Sequence, residues 1–334
     1  MNIPRPLAIL LWPLSLVYGA AATLRAWLYK HGWLKQQRLN RPVISVGNLT
    51  VGGTGKTPMV IWLAEKLIAE GKRVAILSRG YGGSNGTSDE IELMKHRLEG
   101  RALFGVGPDR YAEGQRLEPA GVDVFVLDDG FQHLQLARDV DIVLVDSTRP
   151  LKKEFVLPAG RLREPRSALR RAHLVVFSRT EQSKLSPDAV PSSPLFAAYL
   201  ANSKLLGFRK HGADNYRHAL RPSLVGPYFA FCGIGNPDAF FADLQRWGLH
   251  LVGRRAFRDH HRYSFSEIEA LQAEATQAGA AALVTTEKDA QNFEATTVFK
   301  LTVEVAVVAI DIHQERNFLR DLQARLPVGL GAAS

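Results

Sequence analysis

The sequence predicts an α/β protein built on a parallel sheet. The chain has 334 residues and a hydrophobic content of 46%, which is enough for two cores. Apolar strand-like runs alternate with segments of helical spacing, among them "VISV", "RVAILSRG", "VDVFVLDDG", "DIVLVDS" and "LVVFSR". Strands that are buried on both faces and alternate with helices indicate a parallel sheet covered by helices.

The first element is an apolar helix. No charged residue lies between Leu7 and Leu24, and about twenty apolar residues are enough to cross a bilayer. A cleaved signal peptide is the rival interpretation, but the basic cluster follows the stretch instead of preceding it. That cluster predicts that the following domains stay in the cytoplasm. We expect residues 1–35 to form a membrane-associated helix that either spans the membrane or lies on it.

The next element is a phosphate-binding loop. "VISVGNLTVGGTGKTP" joins a strand to a glycine-rich turn and then to an apolar helix, as in the pattern G-x-x-x-x-G-K-[ST], although Thr50 replaces the first glycine. Backbone amides in such a loop hold phosphates at a helix N-terminus. A glycine-rich turn with a chance Lys-Thr is the alternative. The residues expected to bind nucleotide phosphates here are Gly52, Gly53, Thr54, Gly55, Lys56 and Thr57.

The remaining runs predict how the chain divides. Residues 36–202 carry the loop and the strands that follow it. Turn formers and basic residues at 203–226 predict a connector. A second set of strands and helices over 227–334 predicts a smaller α/β domain. The expected fold is therefore a P-loop NTPase-like parallel sheet flanked by helices, with a second smaller α/β domain and an N-terminal membrane helix.

Two carboxylates end the strand in "VDVFVLDDG". Asp-Asp-Gly after a strand is commonly a turn. After a phosphate-binding loop, however, an acid at a strand end helps to hold Mg²⁺ beside the loop hydroxyl, which is Thr57 here. We therefore expect Asp128 and Asp129 at a metal site, with Lys56 on the outer phosphates.

A glycine-rich segment, "SRGYGGSNGTSDEIE", ends in two acids. It follows a strand, where α/β sheets place ligands. Asp89 and Glu90 could therefore act as a base and its support for a nucleophilic hydroxyl. A helix N-cap at Ser88 or Asp89 explains the same letters equally well.

Two basic segments remain open to alternative interpretations. The arginines between Arg161 and Arg171 form either a solvated helix face or a set of charges that neutralises a transferring phosphoryl group. Asp259, His260 and His261 form a titratable cluster, but no third ligand at a convincing spacing supports a metal site there.

Composition limits the partners and the compartment. The net charge of +9 favours an anionic partner, but no recognisable nucleic-acid module accompanies it. The single cysteine, Cys232, excludes an internal disulfide and indicates a reducing compartment. We expect that thiol to serve only in packing.

Six motifs in this order, behind an apolar helix, resemble the tetraacyldisaccharide 4'-kinases of lipid A biosynthesis. They are "VGNLTVGGTGKTP", "SRGYGG", "LDDGFQH", "LPAGRLREP", "DHH" and "TTEKDA". The resemblance extends to about residue 312 and includes the Thr50 substitution. It implies transfer of the ATP γ-phosphate to the 4'-hydroxyl of a tetraacyldisaccharide 1-phosphate, which gives lipid IVA at the cytoplasmic face of the inner membrane.

The resemblance also implies roles for individual residues. Lys56 and Thr57 match the residues that bind ATP and Mg²⁺. Asp89 matches the catalytic aspartate, and His260, the first histidine after Asp259, matches the histidine that supports it. His261 is then expected to be a bystander that faces solvent or the connector. Because Asp89 and His260 fall in different predicted domains, their pairing is expected to require closure of those domains. The remaining matches are Asp128, Asp129 and Glu164 around the metal, Arg110 and Arg163 near the phosphates, and Glu90 beside the base. The chain departs from the family where "SDEI" follows a shortened loop in place of Gly-Asp-Glu-Pro.

A different class of protein shares the glycine-rich loop. Membrane-attached nucleotide switches hydrolyse ATP or GTP to change partners, and they need no lipid substrate. Transfer of labelled phosphate from ATP to a lipid separates the two hypotheses. Beyond the lipid substrate and the membrane, the sequence indicates no nucleic-acid partner and no obligate protein partner.

Overall fold

The computed structural model describes residues 5–80, 88–149, 151–183, 193–211, 226–293 and 297–327. Within these residues the helices are α1 (Arg5–Lys30), α2 (Lys56–Ala69), α3 (Asp89–Leu98), α4 (Arg110–Leu117), α5 (Pro237–Arg246), α6 (Phe265–Gln277), α7 (Glu287–Ala290) and α8 (Glu315–Gln323). The strands are β1 (Val43–Asn48), β2 (Val74–Ser78), β3 (Leu103–Val106), β4 (Val124–Asp128), β5 (Val140–Asp146), β6 (Leu174–Ser178), β7 (Ala197–Lys210), β8 (Tyr228–Cys232), β9 (Leu251–Ala256), β10 (Ala282–Thr286) and β11 (Thr302–Ile312).

The chain divides into two compact units, which we describe separately. The first unit comprises residues 1–79, 101–202 and 310–334. The second unit comprises residues 80–100 and 203–309.

The first unit has a parallel sheet in the order β3-β2-β4-β1-β5-β6-β7. Its central strand, β1, is buried along its whole length and lies between β4 and β5. Helix α2 follows β1 and buries Met59, Val60 and Leu63 completely. Burial on both faces explains the continuous apolar runs, and the predicted parallel sheet flanked by helices is confirmed.

The second unit has a smaller parallel sheet in the order β11-β10-β8-β9. Alternate residues of β8 belong to two different cores. Tyr228 packs in a core with Phe240 of α5, whereas Phe229 packs in a core with Ile268 of α6. This alternation is the period of two that a strand imposes on its side chains. Cys232 is fully buried in the first of these cores, as its expected packing role requires.

Helix α1 is attached to the first unit by small residues. The Ser15 hydroxyl accepts a hydrogen bond of 2.9 Å from the backbone N–H of Ala159. Gly19 faces Pro165, whose Cγ lies 3.5 Å from the point where a Cβ would stand. The bulky apolar residues point away from this contact, and Leu10 and Val17 are 74% and 69% exposed. By length and composition alone, Ile9–Lys30 qualifies as a membrane-crossing helix.

The compact units differ from the predicted domains at two helices. Helix α3 belongs with the second unit, because Arg97 forms a buried ion pair of 2.9 Å with Glu287. Helix α8 belongs with the first unit, because Phe318 is fully buried against Trp62 and Tyr199. Sequence pattern alone assigned α3 to the first predicted domain, 36–202, and α8 to the second, 227–334.

The predicted connector at 203–226 needs correction in its first half. Residues 203–210 continue strand β7, and Phe208 is buried in a core with Tyr228. The turn formers that suggested a connector begin after this strand. Residues 212–225 lie outside the described residues.

We predict that Phe208→Ala destabilises the second unit by about 3–5 kcal/mol, because the change leaves a cavity in its core. Leu206→Ala is the matched control on the same strand, since Leu206 is 42% exposed. Chemical denaturation of both variants measures the difference. Equal midpoints for the two variants would contradict the assignment of residues 203–210 to the core.

Candidate functional site

Buried polar side chains end most strands of the first sheet. In each case the residue is the last one of its strand: Asn48, Ser78, Asp128, Asp146 and Ser178. Because parallel strands end at the same edge of a sheet, these groups share the edge at which α/β proteins bind ligands. A buried polar group is costly unless it is hydrogen-bonded, so this edge indicates a built site.

The phosphate-binding loop is shaped by two glycines and one side-chain hydrogen bond. Gly52 and Gly55 have φ angles of 107° and 92°, which disfavour other residue types. Asn48 Nδ2 donates to the Thr54 hydroxyl over 2.8 Å. Gly55 directly precedes α2, so the loop amides and the helix N-terminus face the same anion position.

The last residue of β6, Ser178, and the residue that follows it, Arg179, hold the loop from the other side. The Ser178 hydroxyl donates to the Thr54 carbonyl over 2.9 Å. Arg179 donates to the Gly53 carbonyl at 3.1 Å and to buried Asp146 at 2.6 Å. These hydrogen bonds hold the backbone of the phosphate-binding loop in place.

Residues 161–163 pair with the start of the loop. The Val51 N–H donates to the Arg161 carbonyl over 2.8 Å, and the Arg163 N–H donates to the Leu49 carbonyl over 2.7 Å. This pairing brings the "LPAGRLREP" motif directly beside the glycine-rich loop.

Arg163 and Lys56 converge on Asp129. The Arg163 guanidinium donates to both carboxylate oxygens of Asp129, over 2.7 and 2.8 Å, and also to the Asn48 side-chain oxygen. Lys56 Nζ lies 3.5 Å from Asp129 Oδ1. Burial alone would raise the pKa of Asp129, but the bonds from Arg163 and the charge of Lys56 outweigh it and hold that pKa well below its usual value. Asp129 is therefore ionised, and it neutralises two cations beside the loop.

The expected metal ligands are differently engaged. Asp128 is buried and accepts a hydrogen bond of 3.1 Å from Ser78. Both oxygens of Glu164 accept from Arg171, over 2.8 and 2.9 Å. No cluster of three or more His, Cys, Asp or Glu side chains suited to a metal ion occurs in the described ranges.

This donor set nevertheless fits Mg²⁺. That ion keeps several waters and takes one or two carboxylates together with substrate phosphates. Thr57, at the start of α2, and Asp128, at the end of β4, supply the hydroxyl and carboxylate oxygens that it requires.

Three arginines of the run between Arg161 and Arg171 form ion pairs, whereas Arg166 and Arg170 are exposed. Arg161 donates to Glu154 over 3.1 Å, in addition to the pairs made by Arg163 and Arg171.

Arg110 is 6% exposed, and among the described residues its Nε has no hydrogen-bond acceptor. Burial and the charge of Arg79 lower the pKa of Arg110. A buried guanidinium with an unused donor is suited to bind an anionic oxygen.

The second unit contains a separate acid–base pair. His260 Nδ1 lies 3.0 Å and 3.1 Å from the two carboxylate oxygens of Asp89. Asn292 Nδ2 donates to Asp89 Oδ2 over 3.3 Å. Burial raises the pKa of Asp89, but the hydrogen bond from His260 and the charge of Lys288 outweigh it and lower the pKa below its usual value. The hydrogen bond to Asp89 in turn raises the pKa of His260.

The geometry answers one question that the sequence left open and corrects one expectation. Ser88 is the N-cap of α3 and accepts from the Ile91 N–H, so Asp89 is available for the contact with His260. Asp89 and His260 belong to the same compact unit, and their contact therefore requires no closure of domains. Residues 81–87, which include most of the expected glycine-rich loop, lie outside the described residues.

His261 does not contact Asp89, and it does not face solvent or the connector as expected. Its ring stacks on Phe257 at 4.7 Å and lies 4.9 Å from the Tyr263 ring. Its Nε2 lies 3.1 Å from Glu267 Oε1. His261 is therefore a packing residue, and its neighbour turns the other way because His260 adopts a φ of 59°.

Sequence reasoning missed three residues that complete these centres. Asn48 and Arg179 shape the phosphate-binding loop, and Lys288 lies 3.2 Å from His260 Nε2. Position alone could have revealed the first two, because both stand at the end of a parallel strand. Lys288 lies in "TTEKDA", a motif that carried no assigned role.

An α/β unit with this loop, this lysine and a carboxylate at the end of an inner strand defines a phosphate-loop nucleotide-binding protein. The family model of tetraacyldisaccharide-1-P 4'-kinases matches residues 7–327. The chain therefore belongs to the tetraacyldisaccharide-1-P 4'-kinase family.

Known relatives agree with this assignment. A tetraacyldisaccharide 4'-kinase of Geobacter metallireducens is 44% identical over 311 residues, which cover 86% of this chain and 89% of that protein. One from Anaeromyxobacter sp. strain K is 38% identical and covers 95% of this chain and 89% of that protein. LpxK from Aquifex aeolicus, solved in complex with ATP, has a TM-score of 0.72 at 28% identity and covers 96% of this chain and 99% of that one.

These comparisons confirm the predicted family, fold class and kinase function. They do not favour the nucleotide switch that shares the loop motif.

We predict that Lys56→Ala lowers phosphate transfer from ATP by at least ~10²-fold, because one electrostatic stabiliser is removed while the loop amides remain. Lys66→Ala is the matched control, since Lys66 lies on the same helix and pairs with Glu315 at 2.6 Å. Turnover is measured in both variants after circular dichroism has established their folding. Near-normal turnover in folded Lys56→Ala would contradict the assigned role.

Proposed function

We propose that this chain uses its two centres to transfer the γ-phosphate of ATP to the 4'-hydroxyl of a tetraacyldisaccharide 1-phosphate, forming lipid IVA. The observation that carries the proposal is the pairing of an ionised carboxylate, Asp89, with an imidazole, in a family member that also holds a phosphate-binding loop. Labelled γ-phosphate recovered in the lipid supports it. Label that is released only as inorganic phosphate, independently of lipid, would support a nucleotide switch instead.

The first unit binds the nucleotide in this proposal. The amides of residues 52–57 hold the phosphates, and Lys56 reaches the outer ones. Arg163 and Arg110 supply further positive charge. Mg²⁺ would be held by Thr57 and Asp128, with Asp129 beside it, and it would neutralise the charge that develops on the phosphate oxygens.

Glu164 has a supporting role in this proposal. Both of its carboxylate oxygens accept hydrogen bonds from Arg171, so Glu164 lies near the metal ligands without binding the metal directly. Such a residue can still orient the residues that do bind the metal.

The second unit supplies the base. A sugar hydroxyl is a poor nucleophile until its proton is removed as the new bond forms. Asp89 accepts that proton, the hydroxyl oxygen bonds to the γ-phosphorus, and the bond to the β-phosphate oxygen breaks to release ADP. His260 orients the Asp89 carboxylate, and Glu90 lies beside it as the acidic neighbour.

The protein acts at the inner membrane, with both units on the cytoplasmic side. Support comes from the exposed apolar face of α1 and from the basic residues at its end and after it, Lys30, Lys35, Arg38 and Arg41. A lipid acceptor with four acyl chains also requires an enzyme at a membrane surface.

The contacts that attach α1 to the first unit favour a helix inserted in one leaflet of the membrane over a helix that spans it. The contacts of Ser15 and Gly19 hold its centre against the loop at residues 156–165. Only about ten residues of the helix precede these contacts, which corresponds to ~15 Å at 1.5 Å per residue. The hydrocarbon core is about 30 Å thick, so this length reaches about halfway across.

We predict a non-additive loss for the acid–base pair. Asp89→Ala should lower kcat by about 10²–10⁴-fold. The double variant Asp89→Ala with His260→Ala should have a kcat little below that of Asp89→Ala, because removing one member of a pair that acts as a unit already removes the contribution of both. His261→Ala is the matched control, and it should lower stability more than kcat. Fully multiplicative losses for Asp89 and His260, or a larger kcat defect from His261, would refute the assignment.

We predict that Leu10→Gln, Leu14→Gln and Val17→Gln together weaken vesicle binding by roughly 100-fold or more, because three exposed apolar side chains leave the lipid. Leu195→Gln with Val298→Gln is the control, since these residues are 53% and 70% exposed elsewhere. Flotation with vesicles that contain anionic lipid measures both variants. Equal flotation of the two variants would exclude α1 as the anchor.

A further inference from the structure

Lys288 stands among the acids of the second unit. Its ammonium lies 3.0 Å from Asp259 Oδ1, 3.6 Å from Glu90 Oε1 and 3.9 Å from Asp89 Oδ2. It also lies 3.2 Å from His260 Nε2. The Lys288 and Asp89 side chains are 15% and 6% exposed, so their interaction is the least screened by water, whereas Glu90, Asp259 and His260 are 39%, 38% and 48% exposed.

The acids on either side of Lys288 in the chain hold it in place. Asp289 is fully buried and accepts hydrogen bonds from the Gly233 N–H and from the Tyr263 hydroxyl, each over 2.7 Å. Glu287 is buried in its ion pair with Arg97. Since both neighbours are anchored, α7 presents the Lys288 side chain in one direction.

The loop that carries His260 is held by the same contacts. The His260 N–H donates to the Gly233 carbonyl over 3.1 Å. A Cβ on Gly233 would stand 2.8 Å from the Arg258 carbonyl oxygen and 3.1 Å from Asp289 Oδ1, so only glycine allows this approach. Lys288 and His260 are therefore positioned against each other by a rigid frame.

The contact between Lys288 and His260 selects one tautomer of the imidazole. An ammonium group has three donors and no acceptor. His260 Nε2 must therefore accept the hydrogen bond, and the ring proton of the neutral imidazole must stand on Nδ1. That N–H points at Asp89 and donates to its carboxylate.

We propose that Lys288 is a positioning residue, which directs the Nδ1–H of His260 at Asp89, opposes a second proton on His260 Nε2 and keeps Asp89 ionised. The proposal rests on the proposed function, in which Asp89 is the base. A doubly protonated imidazole would direct its Nε2–H at the ammonium, and this repulsion opposes protonation of the pair.

The charges around the pair oppose one another. The hydrogen bond to Asp89 raises the pKa of His260, whereas burial and the charge of Lys288 lower it. For Asp89, His260 and Lys288 both act to lower the pKa against burial. The other charged groups that face this cluster are Glu90 on α3 and Asp259 in the loop after β9. Without Lys288, the pKa values of both Asp89 and His260 rise.

The test is the pH dependence of kcat in Lys288→Met, Lys288→Arg and the control Lys95→Met. Lys95 lies on α3 in an ion pair with Glu92, away from His260. Asp89 must be ionised to accept a proton, so the acidic limb of the Lys288→Met profile should move upward by about 1–3 pH units. We expect kcat to fall about 10- to 100-fold with little change in KM. Lys288→Arg should partly restore both properties, and Lys95→Met should change neither.

The tautomer supplies a readout that does not depend on the lipid reaction. In the ¹⁵N-histidine spectrum of the full-length wild-type protein at alkaline pH, His260, assigned by its absence in His260→Ala, should show a protonated Nδ1 and an unprotonated Nε2. A protonated Nε2 would overturn the proposal even if Lys288→Met fails to fold. An unshifted acidic limb in folded Lys288→Met would also overturn it. Absence of lipid phosphorylation by wild type would instead refute the proposed function and leave the tautomer result to decide this inference.

Discussion

The backbone pairing of residues 49–51 with residues 161–163 is the constraint on which the first centre depends. It sets the "LPAGRLREP" segment beside the phosphate-binding loop and so aims Arg163 at Asp129 and Asn48. The same segment receives α1, through the contacts of Ala159 with Ser15 and of Pro165 with Gly19. One short stretch of chain therefore joins the apolar helix α1, the glycine-rich loop and the arginine that pairs with Asp129. Displacement of any one of these would be felt by the other two, because protein interiors are closely packed and deform little.

The parallel sheets explain why polar residues cluster at the ends of strands. An inner strand is apolar because both of its faces are covered, so its last residue is the first that can carry chemistry without disrupting the core. In the first unit this rule applies from Asn48 to Ser178. In the second unit Thr286 ends β10 and caps α7, two residues before Lys288. Both centres thus follow from the same topological property, although they differ in their chemistry.

The sequence predicted the parts of the structure that depend on residues close together in the chain. Strand and helix alternation, the glycine-rich loop and the pair of Asp89 with His260 follow from short patterns or from family resemblance. Assignment of α3 and α8 to their units could not be predicted, because it depends on Arg97 meeting Glu287 and on Phe318 meeting Trp62 across long separations in the chain. The arginine run was ambiguous for a similar reason, since its partners Glu154 and Asp129 are identified only by the folded backbone. Lys288 escaped notice because a lysine between two acids on a short helix has the pattern of an exposed turn.

The balance of charge assigns a different task to each centre. Beside the phosphate-binding loop, the three cations Lys56, Arg163 and Arg110 outnumber the two carboxylates Asp128 and Asp129, and Asp129 pairs with Lys56 and Arg163. Such a site attracts an anionic polyphosphate, whose oxygens can take the place of Asp129 as hydrogen-bond acceptors. Around His260 the ratio is reversed, because Asp89, Glu90 and Asp259 share a single lysine. An acidic site of this kind does not favour phosphate, and its cation and imidazole keep Asp89 ionised. In the proposed function, phosphate binding and proton removal are therefore assigned to two centres of opposite local charge.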